Sequence, residues 1–324
     1  MKPDKFLSID ELVKKNEHLE LPFKLIAPEC DQGSAQTGFC YSDIPYTVTL
    51  AADLNWMQIA LKSPGVSCII TGLEVAEMLH KDDSTLQSLE KPIIVYENPK
   101  DSYYHLHNLE LHKHTYKTWL GEKRGYIAPT AKIHPTACIE EDVFIGDNVV
   151  VGPLTTIRCG TRIGAGTTID ENCTIGSEGL FTKTIAGVKQ HIKHYGGVHI
   201  GKNCRIHAGV NISRSVNFNA ATLLEDEVDC GIQTNVAHDS FVGRGTTLSS
   251  QVILAGRVYV ESNCWIGAGS VLSNGIRVGK NSQVRLGSVV ISDLPDESDV
   301  SGNFARPHHE TMRNFLEKLS GKAK

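Results

Sequence analysis

The sequence has little of what distinguishes membrane, nucleic-acid-binding and disulfide-rich proteins. Only 6% of its 324 residues are aromatic, and no run of eighteen apolar residues occurs, so it predicts no membrane-spanning helix. The formal net charge is −5, which disfavours nucleic acid as a partner. The N-terminal string MKPDKFLSIDEL is polar and amphipathic and does not look like a signal peptide. We therefore expect a cytoplasmic protein with no membrane insertion and no nucleic-acid partner.

Disulfide and metal signatures are also missing. The nine cysteines are odd in number and contain no C-x-x-C pair, so we interpret them as small buried residues in a reducing compartment. Four histidines between 105 and 114 lack supporting Cys or carboxylate spacing, and we interpret their segment as a solvated linker helix. The sequence therefore predicts no metal and no cofactor.

What the sequence does have is one apolar residue at every sixth position. Neither a helix nor an isolated strand has this period, whereas a β-helix places one such residue on each flat side of its coil. Three sides of six residues make an eighteen-residue coil, so the 25 positions predict about eight stacked coils. The first series runs from Ile127 to Ile175 and the second from Ile200 to Val290, including Phe218.

The repeat divides the chain into four parts. Residues 1–100 alternate helix and strand signals and predict a small α/β domain of the nucleotide-binding type, and 101–125 form a linker. Residues 126–292 form the β-helix, from which a loop at 177–197 is ejected because the register slips by one residue there. Residues 293–324 form a tail with a short amphipathic helix near 308–319 that caps the open end.

His238 is the best candidate for a reacting side chain. It lies two residues after the inward Val236, so its side chain should face outward, and Gly256 follows eighteen residues later, one coil along. A neutral imidazole beside an exposed glycine N–H offers a general base and an oxyanion donor for acyl transfer. On spacing alone, a surface histidine above a corner glycine explains the pattern equally well.

Five short strings are distributed along the chain: FCYSDIPY (39–46), GSEGLF (176–181), NVAHDSFVG (235–243), AGR (255–257) and SGNFARP (301–307). In this order they resemble the UDP-3-O-acylglucosamine N-acyltransferases of lipid A synthesis, and the resemblance extends from about residue 8 to residue 313. It implies a left-handed β-helix that forms trimers, with His238 as the catalytic base and Gly256 as the oxyanion glycine. The string with Leu180 and Phe181 resembles the motif that opens the family's loop, and the loop at 177–197 would close over the site of a neighbouring subunit.

The sequence departs from the family where substrates are recognised. The resemblance implies a nucleotide site at Tyr41, Ile44 and Tyr46. Tyr41 retains one aromatic face, Ile44 replaces an expected asparagine, and Tyr46 or Thr47 would supply the second aromatic position. An Asp-Asn pair becomes Gly231-Ile232, and a Gly-His pair becomes Asn274-Gly275.

We therefore expect an N-acyltransferase with changed substrates. The favoured reaction moves an acyl group from acyl-CoA to the amine of a nucleotide-linked amino sugar, with a dTDP-amino-deoxysugar preferred. The alternatives are the lipid A reaction itself, UDP-3-O-(3-hydroxyacyl)glucosamine N-acylation from acyl carrier protein, and a non-enzymatic solenoid scaffold. A γ-type carbonic anhydrase is rejected because it needs three converging histidines. The residues proposed to hold the donor are Arg257, Asn274, Gly275, Arg277, Lys280 and Arg285.

Overall fold

The computed structural model describes residues 7–19, 23–80, 89–109, 125–218 and 220–302, together with 307, 309, 310, 312, 313 and 316. Within these residues, no helix combines the length and the apolar character needed to cross a membrane. The cap helix predicted near 308–319 lies mostly outside them. All nine cysteines lie inside them and are free thiols.

The N-terminal part is an α/β unit with one five-stranded sheet. A capping box formed by Ser8 and Glu11 opens the first helix. Apolar strands form the middle of the sheet, and the order runs from the first strand through the fifth, fourth and third to the second. The helices are α1 (Ile9–Asn16), α2 (Leu54–Lys62), α3 (Leu73–His80) and α4 (Pro99–Asn108), the short 3-10 turns are Glu17–Leu19 and Pro28–Cys30, and the strands are β1 (Phe23–Ile26), β2 (Gln36–Gly38), β3 (Thr47–Ala51), β4 (Val66–Gly72) and β5 (Ile93–Tyr96).

The six-residue repeat builds a parallel β-helix with three flat faces. In most coils the inward residue pairs with the residue eighteen positions on, as Val236 does with Leu254, so the apolar side chain of each coil stacks on that of the previous coil. The inward residues from Ile145 to Val290 are almost completely buried and form one continuous core. The predicted fold class is confirmed. The core also includes Leu294 and Val300 at its C-terminal end, which the sequence analysis did not include.

The strands of the three faces follow one another in rotation along the chain. The first face contains Cys138–Ile139, Thr156–Ile157, Thr174–Ser177, Asn211–Ser213, Asn235–Val236, Ile253–Leu254, Val271–Leu272 and Val289–Val290. The second contains Phe144–Ile145, Thr161–Ile163, Gly197–Ile200, Ala221–Leu224, Phe241–Val242, Tyr259–Val260 and Arg277–Val278. The third contains Lys132–Ile133, Val150–Val151, Thr168–Ile169, Arg205–Ile206, Asp229–Cys230, Thr247–Leu248, Trp265–Ile266, Gln283–Val284 and Asp299–Val300.

The chain leaves the β-helix twice, and the sequence analysis found only the first departure. Ile175 pairs with Ile212, 37 positions on, because the predicted loop intervenes. The next coil is also too long, since Ile206 pairs with Cys230, 24 positions on. One whole extra hexad therefore lies between 213 and 220, and the assignment of Phe218 to a flat side was wrong. An insertion of six residues leaves a six-residue period unbroken, so the periodicity of the sequence does not reveal the insertion.

The first departure folds into an antiparallel hairpin of Thr182–Ile185 and Val188–His191, hereafter the hairpin. Its Ile185 and Ile192 are buried in a cluster shared with the N-terminal unit. Helix α4 packs in the same cluster through Tyr103 and Leu106, which are 5% and 0% exposed. The expectation of a solvated linker helix was therefore wrong for Pro99–Asn108, because one face of this helix is needed to cover the hairpin and the sheet.

Candidate active site

His238 lies at the corner between the first and second faces. The chain turns there at Asp239, whose φ of 59° is left-handed, a conformation that Asp tolerates better than most residues. The turn brings the Asp239 carboxylate back onto its neighbour, and His238 Nδ1 lies 2.8 Å from Asp239 Oδ2. Nδ1 donates this bond because an ionised carboxylate only accepts. The lone pair of the neutral imidazole is therefore on Nε2.

The extra hexad holds Asp239 in place. Its Oδ1 accepts hydrogen bonds from the hydroxyl of Ser215 and, at 3.1 Å, from the backbone N–H of Val216. Burial alone would raise the pKa of Asp239, but the hydrogen bonds from His238 and Ser215 outweigh it and keep this pKa below its usual value. The carboxylate is thus ionised although its side chain is only 5% exposed. The sequence analysis quoted the string with Asp239 but missed its role, and no sequence signal identified Ser215.

Gly256 stacks on His238 as the eighteen-residue spacing predicted. The N–H of Arg257 donates to the carbonyl of His238, and the N–H of Gly275 donates to the carbonyl of Gly256. A methyl group at Gly256 would lie 2.6 Å from His238 Nε2 and 2.9 Å from Asn274 Nδ2. Within the described residues the Gly256 N–H donates no hydrogen bond. His238 Nε2, this N–H and the Asn274 amide therefore share one corner of the β-helix.

The face of the His238 ring is covered by residues next to the hairpin. The Phe181 ring stacks on the imidazole with centroids 5.5 Å apart and planes 15° apart, and a Cβ on Gly179 would lie 3.1 Å from His238 Cδ2. The His238 side chain lies outside the apolar core of the β-helix, but it is only 8% exposed because these residues cover it. Phe181 covers the histidine of its own chain, whereas the sequence analysis expected the loop to close over a neighbour. Leu180 points away and is 89% exposed.

Arg257 connects this corner to the N-terminal unit. Its Nε lies 3.9 Å from Asp239 Oδ2, and its guanidinium lies 5.8 Å from the centre of the Phe181 ring. Burial alone would lower the pKa of Arg257, but Tyr104 and the Asp239 carboxylate raise it overall, so the cation persists. Of the proposed donor residues, Arg257, Asn274 and Gly275 share the corner with His238.

The other three proposed donor residues lie elsewhere in the chain. Arg277 is on the second face and pairs with Glu261 at 3.0 Å, and Arg285 follows a strand of the third face and pairs with Asp299 at 2.7 Å. Lys280 lies at the corner between these two faces. Six residues along the chain move the backbone to the next face, so Lys280 and Arg285 do not converge with His238 in one chain.

The predicted nucleotide site contains an aromatic cluster. Tyr41 is 55% exposed and stacks on Phe39 at 5.1 Å with planes 6° apart, and Trp56 lies 6.4 Å away. The pKa of Tyr41 is raised by partial burial and then by the negative charge of Asp239, while Arg257 acts the other way. This cluster therefore lies within electrostatic range of the His238 corner. The sequence analysis missed Phe39 and Trp56 as partners of Tyr41.

The expected second aromatic position has a different role. Thr47 is buried and donates to the carbonyl of Ile44 at 2.7 Å, so it cannot face a base. Tyr46 has a φ of 66° at the turn into β3, and the N–H of Ile44 binds the Ser42 hydroxyl at 3.1 Å. Ile44 and Tyr46 thus shape the turn that follows Tyr41.

A second polar group lies beside the His238 corner. The ligand atoms of Glu178, His191 and His194 all lie within 4.8 Å of one another. The His194 ring meets the His238 ring edge-on at 5.2 Å. Burial, and then the neighbouring His238, lower the pKa of His194 to about 4, so it is neutral at pH 7. His191 and His194 lie in the loop predicted at 177–197, but the sequence analysis did not identify this group, because the hairpin brings Glu178 to them.

Comparisons with known families confirm the resemblance to hexapeptide acyltransferases. Residues 142–177 match a model described as bacterial transferase hexapeptide (six repeats). Residues 166–214 and 257–292 match one described as the hexapeptide repeat of succinyl-transferase. Together these matches cover about a third of the chain, all of it between residues 142 and 292.

Curated relatives match a little over a third of the chain. An acyl-[acyl-carrier-protein]–UDP-N-acetylglucosamine O-acyltransferase of Sinorhizobium fredii is 31% identical over 129 residues, 38% of this chain and 48% of that protein. A UDP-3-O-acylglucosamine N-acyltransferase of Bordetella parapertussis is 28% identical over 124 residues, 38% of this chain and 34% of that protein. The matched region thus spans less than half the length of these relatives. Among solved structures, LpxA from Acinetobacter baumannii is 25% identical, with a TM-score of 0.41 over 58% of this chain and 76% of that chain.

Proposed function

We propose that this chain is an N-acyltransferase that moves an acyl group from a thioester to the amine of a nucleotide-linked amino sugar. The observation that carries the proposal is the His238 corner. A buried carboxylate orients the imidazole through Nδ1, and Nε2 faces the glycine whose N–H donates no hydrogen bond within the described residues. Nothing in that arrangement is required for the stacking of the coils, since His238 and Asp239 lie outside the apolar core.

In the proposed reaction His238 acts as the general base. The sugar amine attacks the carbonyl carbon of the thioester, a C–N bond forms, and Nε2 takes the proton that the amine loses. The imidazolium that results is stabilised by the Asp239 carboxylate at 2.8 Å. Asp239 orients the ring and remains ionised.

The attack turns the carbonyl oxygen into an oxyanion, and the Gly256 N–H is placed to donate to it. When the tetrahedral intermediate collapses, the C–S bond breaks and the thiolate leaves. The imidazolium returns its proton to the sulfur, which regenerates neutral His238. The products are an amide and a free thiol, with no net change in protons on the enzyme.

The aromatic cluster supports a pyrimidine nucleotide as the acceptor's carrier. Tyr41 exposes a ring face already stacked on Phe39, and a base stacked on an aromatic side chain gains about 1–3 kcal/mol. Ile44 lacks the hydrogen-bonding side chain of an asparagine and tolerates a methyl group, so we propose dTDP in preference to UDP. Calorimetry with the two nucleotides tests this, and a clear UDP preference would contradict it.

Acyl-CoA is the proposed donor, and an acyl carrier protein is the competing one. The names of the relatives from Sinorhizobium fredii and Bordetella parapertussis favour a UDP-glucosamine acceptor, and the first favours a carrier-protein donor. The second candidate function is therefore lipid A-type acylation. Turnover with acyl-CoA alone supports our proposal, and strict dependence on the carrier protein would support the second candidate.

The deciding experiment measures thiol release from each donor with each amino sugar. His238→Ala should lower kcat by about two to four decades, as loss of a general base does. His207→Ala is the matched control, because His207 also pairs with a carboxylate, Asp170, but lies on the exposed surface. Turnover by His238→Ala at the wild-type rate would refute the assignment. Absence of thiol release with every pair would favour the non-enzymatic scaffold.

A further inference from the structure

Glu178, His191 and His194 converge at the base of the hairpin. Glu178 precedes its first strand, His191 ends its second strand, and His194 follows shortly after. His191 Nε2 lies 3.0 Å from Glu178 Oε2, and a ring nitrogen of His194 completes a set of ligand atoms that all lie within 4.8 Å of one another. Two imidazoles and one carboxylate form a donor set common to zinc and related divalent ions.

His194 supplies an independent indication of a ligand. The residue is 2% exposed, and its Nε2 has no hydrogen-bond partner among the described residues. Nδ1 donates to the carbonyl of Ile192 at 3.0 Å, which places the lone pair on Nε2. A ring whose other nitrogen is hydrogen-bonded to a backbone carbonyl is the usual arrangement of a metal-binding histidine. A surface ion pair between His191 and Glu178 does not explain this unpartnered nitrogen.

We infer that Glu178, His191 and His194 bind one divalent transition-metal ion of the zinc class through Oε2, Nε2 and Nε2. Tetrahedral ligands at about 2.1 Å from zinc lie about 3.4 Å apart, so the group must contract slightly. The His191 and Glu178 side chains are 44% and 48% exposed, which gives them freedom to rotate and leaves the ion open to solvent. His194 is the fixed member.

The ion would join the two ends of the hairpin. Residues between Glu178 and His191 include Gly179 and Phe181, which cover His238. A clip that closes this loop removes conformational freedom from the residues over the catalytic corner. The metal ion would thus act as a clip that holds Gly179 and Phe181 over His238. Metal binding does not depend on the proposed acyl transfer, and it replaces the expectation from the sequence that the protein binds no metal.

Calorimetric titration of the full chain, with no histidine tag, tests the site using Zn²⁺ alone. We expect one equivalent to bind, and we expect Co²⁺ in its place to give visible absorption bands of a low-coordinate nitrogen and oxygen site. Glu178→Gln and His191→Asn should each weaken binding by at least about tenfold, the lower limit for losing even an outer partner of a metal site. Both substitutions are at exposed side chains, so the fold should persist.

The matched control is His207→Asn, which breaks another His–carboxylate pair, His207 Nδ1 to Asp170 Oδ2 at 3.2 Å. It should bind zinc as the wild type does. Zinc should also raise the melting temperature of the wild type and of His207→Asn but not of Glu178→Gln. No saturable zinc binding, or equal affinity in Glu178→Gln, His191→Asn and wild type, would overturn the inference. Either result would leave thiol release by His238 untouched, so the two proposals fail separately.

Discussion

At the scale of single residues, Asp239 orients the imidazole of His238, the proposed general base. It accepts from His238 Nδ1 through one oxygen and from Ser215 and Val216 through the other. Asp239→Asn retains the shape but loses the charge that stabilises the imidazolium. A hydrogen bond to a charged group is worth about 1.5–3 kcal/mol, so kcat should fall by about 10- to 150-fold. Steady-state kinetics measure this, and an unchanged kcat would remove Asp239 from the mechanism.

Gly256 is a second position where one atom matters. A Cβ there would lie 2.6 Å from His238 Nε2, so Gly256→Ala must displace the imidazole or obstruct the oxyanion position. We expect kcat to fall by about 100- to 1000-fold, since a single oxyanion donor contributes about 2.7–4 kcal/mol, with little change in the melting temperature. Gly146→Ala is the control, because its Cβ would lie 2.8 Å from the backbone N of Ala165 and should lower stability alone. Equal effects of the two substitutions on kcat would contradict the site.

At the scale of elements, Phe181 and the hairpin that follows it connect the β-helix to the α/β unit. Phe181 stacks on His238 and meets Tyr104 edge-on at 5.3 Å. Phe181→Ala should lower the free energy of unfolding by about 2 kcal/mol, in line with partial loss of a buried aromatic, and should also alter kcat. Urea denaturation and kinetics measure the two effects. The control is Val188→Ala, since Val188 lies on the hairpin and is 61% exposed in the wild type. It should change neither the free energy of unfolding nor kcat. An equal loss of stability in Val188→Ala would show that the contact of Phe181 with His238 is not responsible.

Helix α4 and the hairpin are joined by a buried histidine. His107 Nε2 donates to the carbonyl of Lys193 at 2.9 Å, and Nδ1 accepts from the Thr37 hydroxyl at 2.7 Å. Burial lowers the pKa of His107 to about 4. Between pH 6.5 and 4, His107 binds a proton in the unfolded chain but not in the folded chain. The stability that His107 contributes is therefore complete above pH 6.5 and is lost as the pH falls towards 4.

The expected loss is about 1.4 kcal/mol per pH unit across this window, or roughly 3 kcal/mol in all. Urea unfolding at several pH values, compared between wild type and His107→Gln, isolates the contribution. The wild type should lose more stability than the variant between pH 6.5 and 4. Parallel profiles would show that His107 does not resist protonation in the folded state.

At the scale of the whole molecule, the β-helix exposes apolar side chains on its outer surface. Leu286, Val289 and Ile291 are 67%, 68% and 77% exposed near its C-terminal end, and contiguous exposed apolar residues are typical of an interaction surface. We expect a homotrimer. Sedimentation equilibrium at micromolar concentration should give about three times the chain mass of 35.4 kDa, and Val289→Asp should shift the equilibrium towards monomer. A fully active monomer would contradict the trimer.

The sequence by itself determined the β-helix, because a six-residue period has one structural solution. The inward apolar residues also need only one another, since those of successive coils stack to form the core. It also determined the stacking of Gly256 on His238, since a fixed eighteen-residue coil turns spacing into contact. The capping box at Ser8 and the apolar strand Val66–Gly72 were predictable for the same local reasons.

Only the tertiary structure decided what surrounds His238. The six-residue insertion that brings Ser215 to Asp239 preserves the period and so leaves no trace in it. Phe181 over the imidazole, Trp56 beside Tyr41, and Glu178 beside His194 are contacts between residues that no repeat relates. They depend on how the α/β unit and the hairpin fold and pack, and no period along the sequence records that folding and packing.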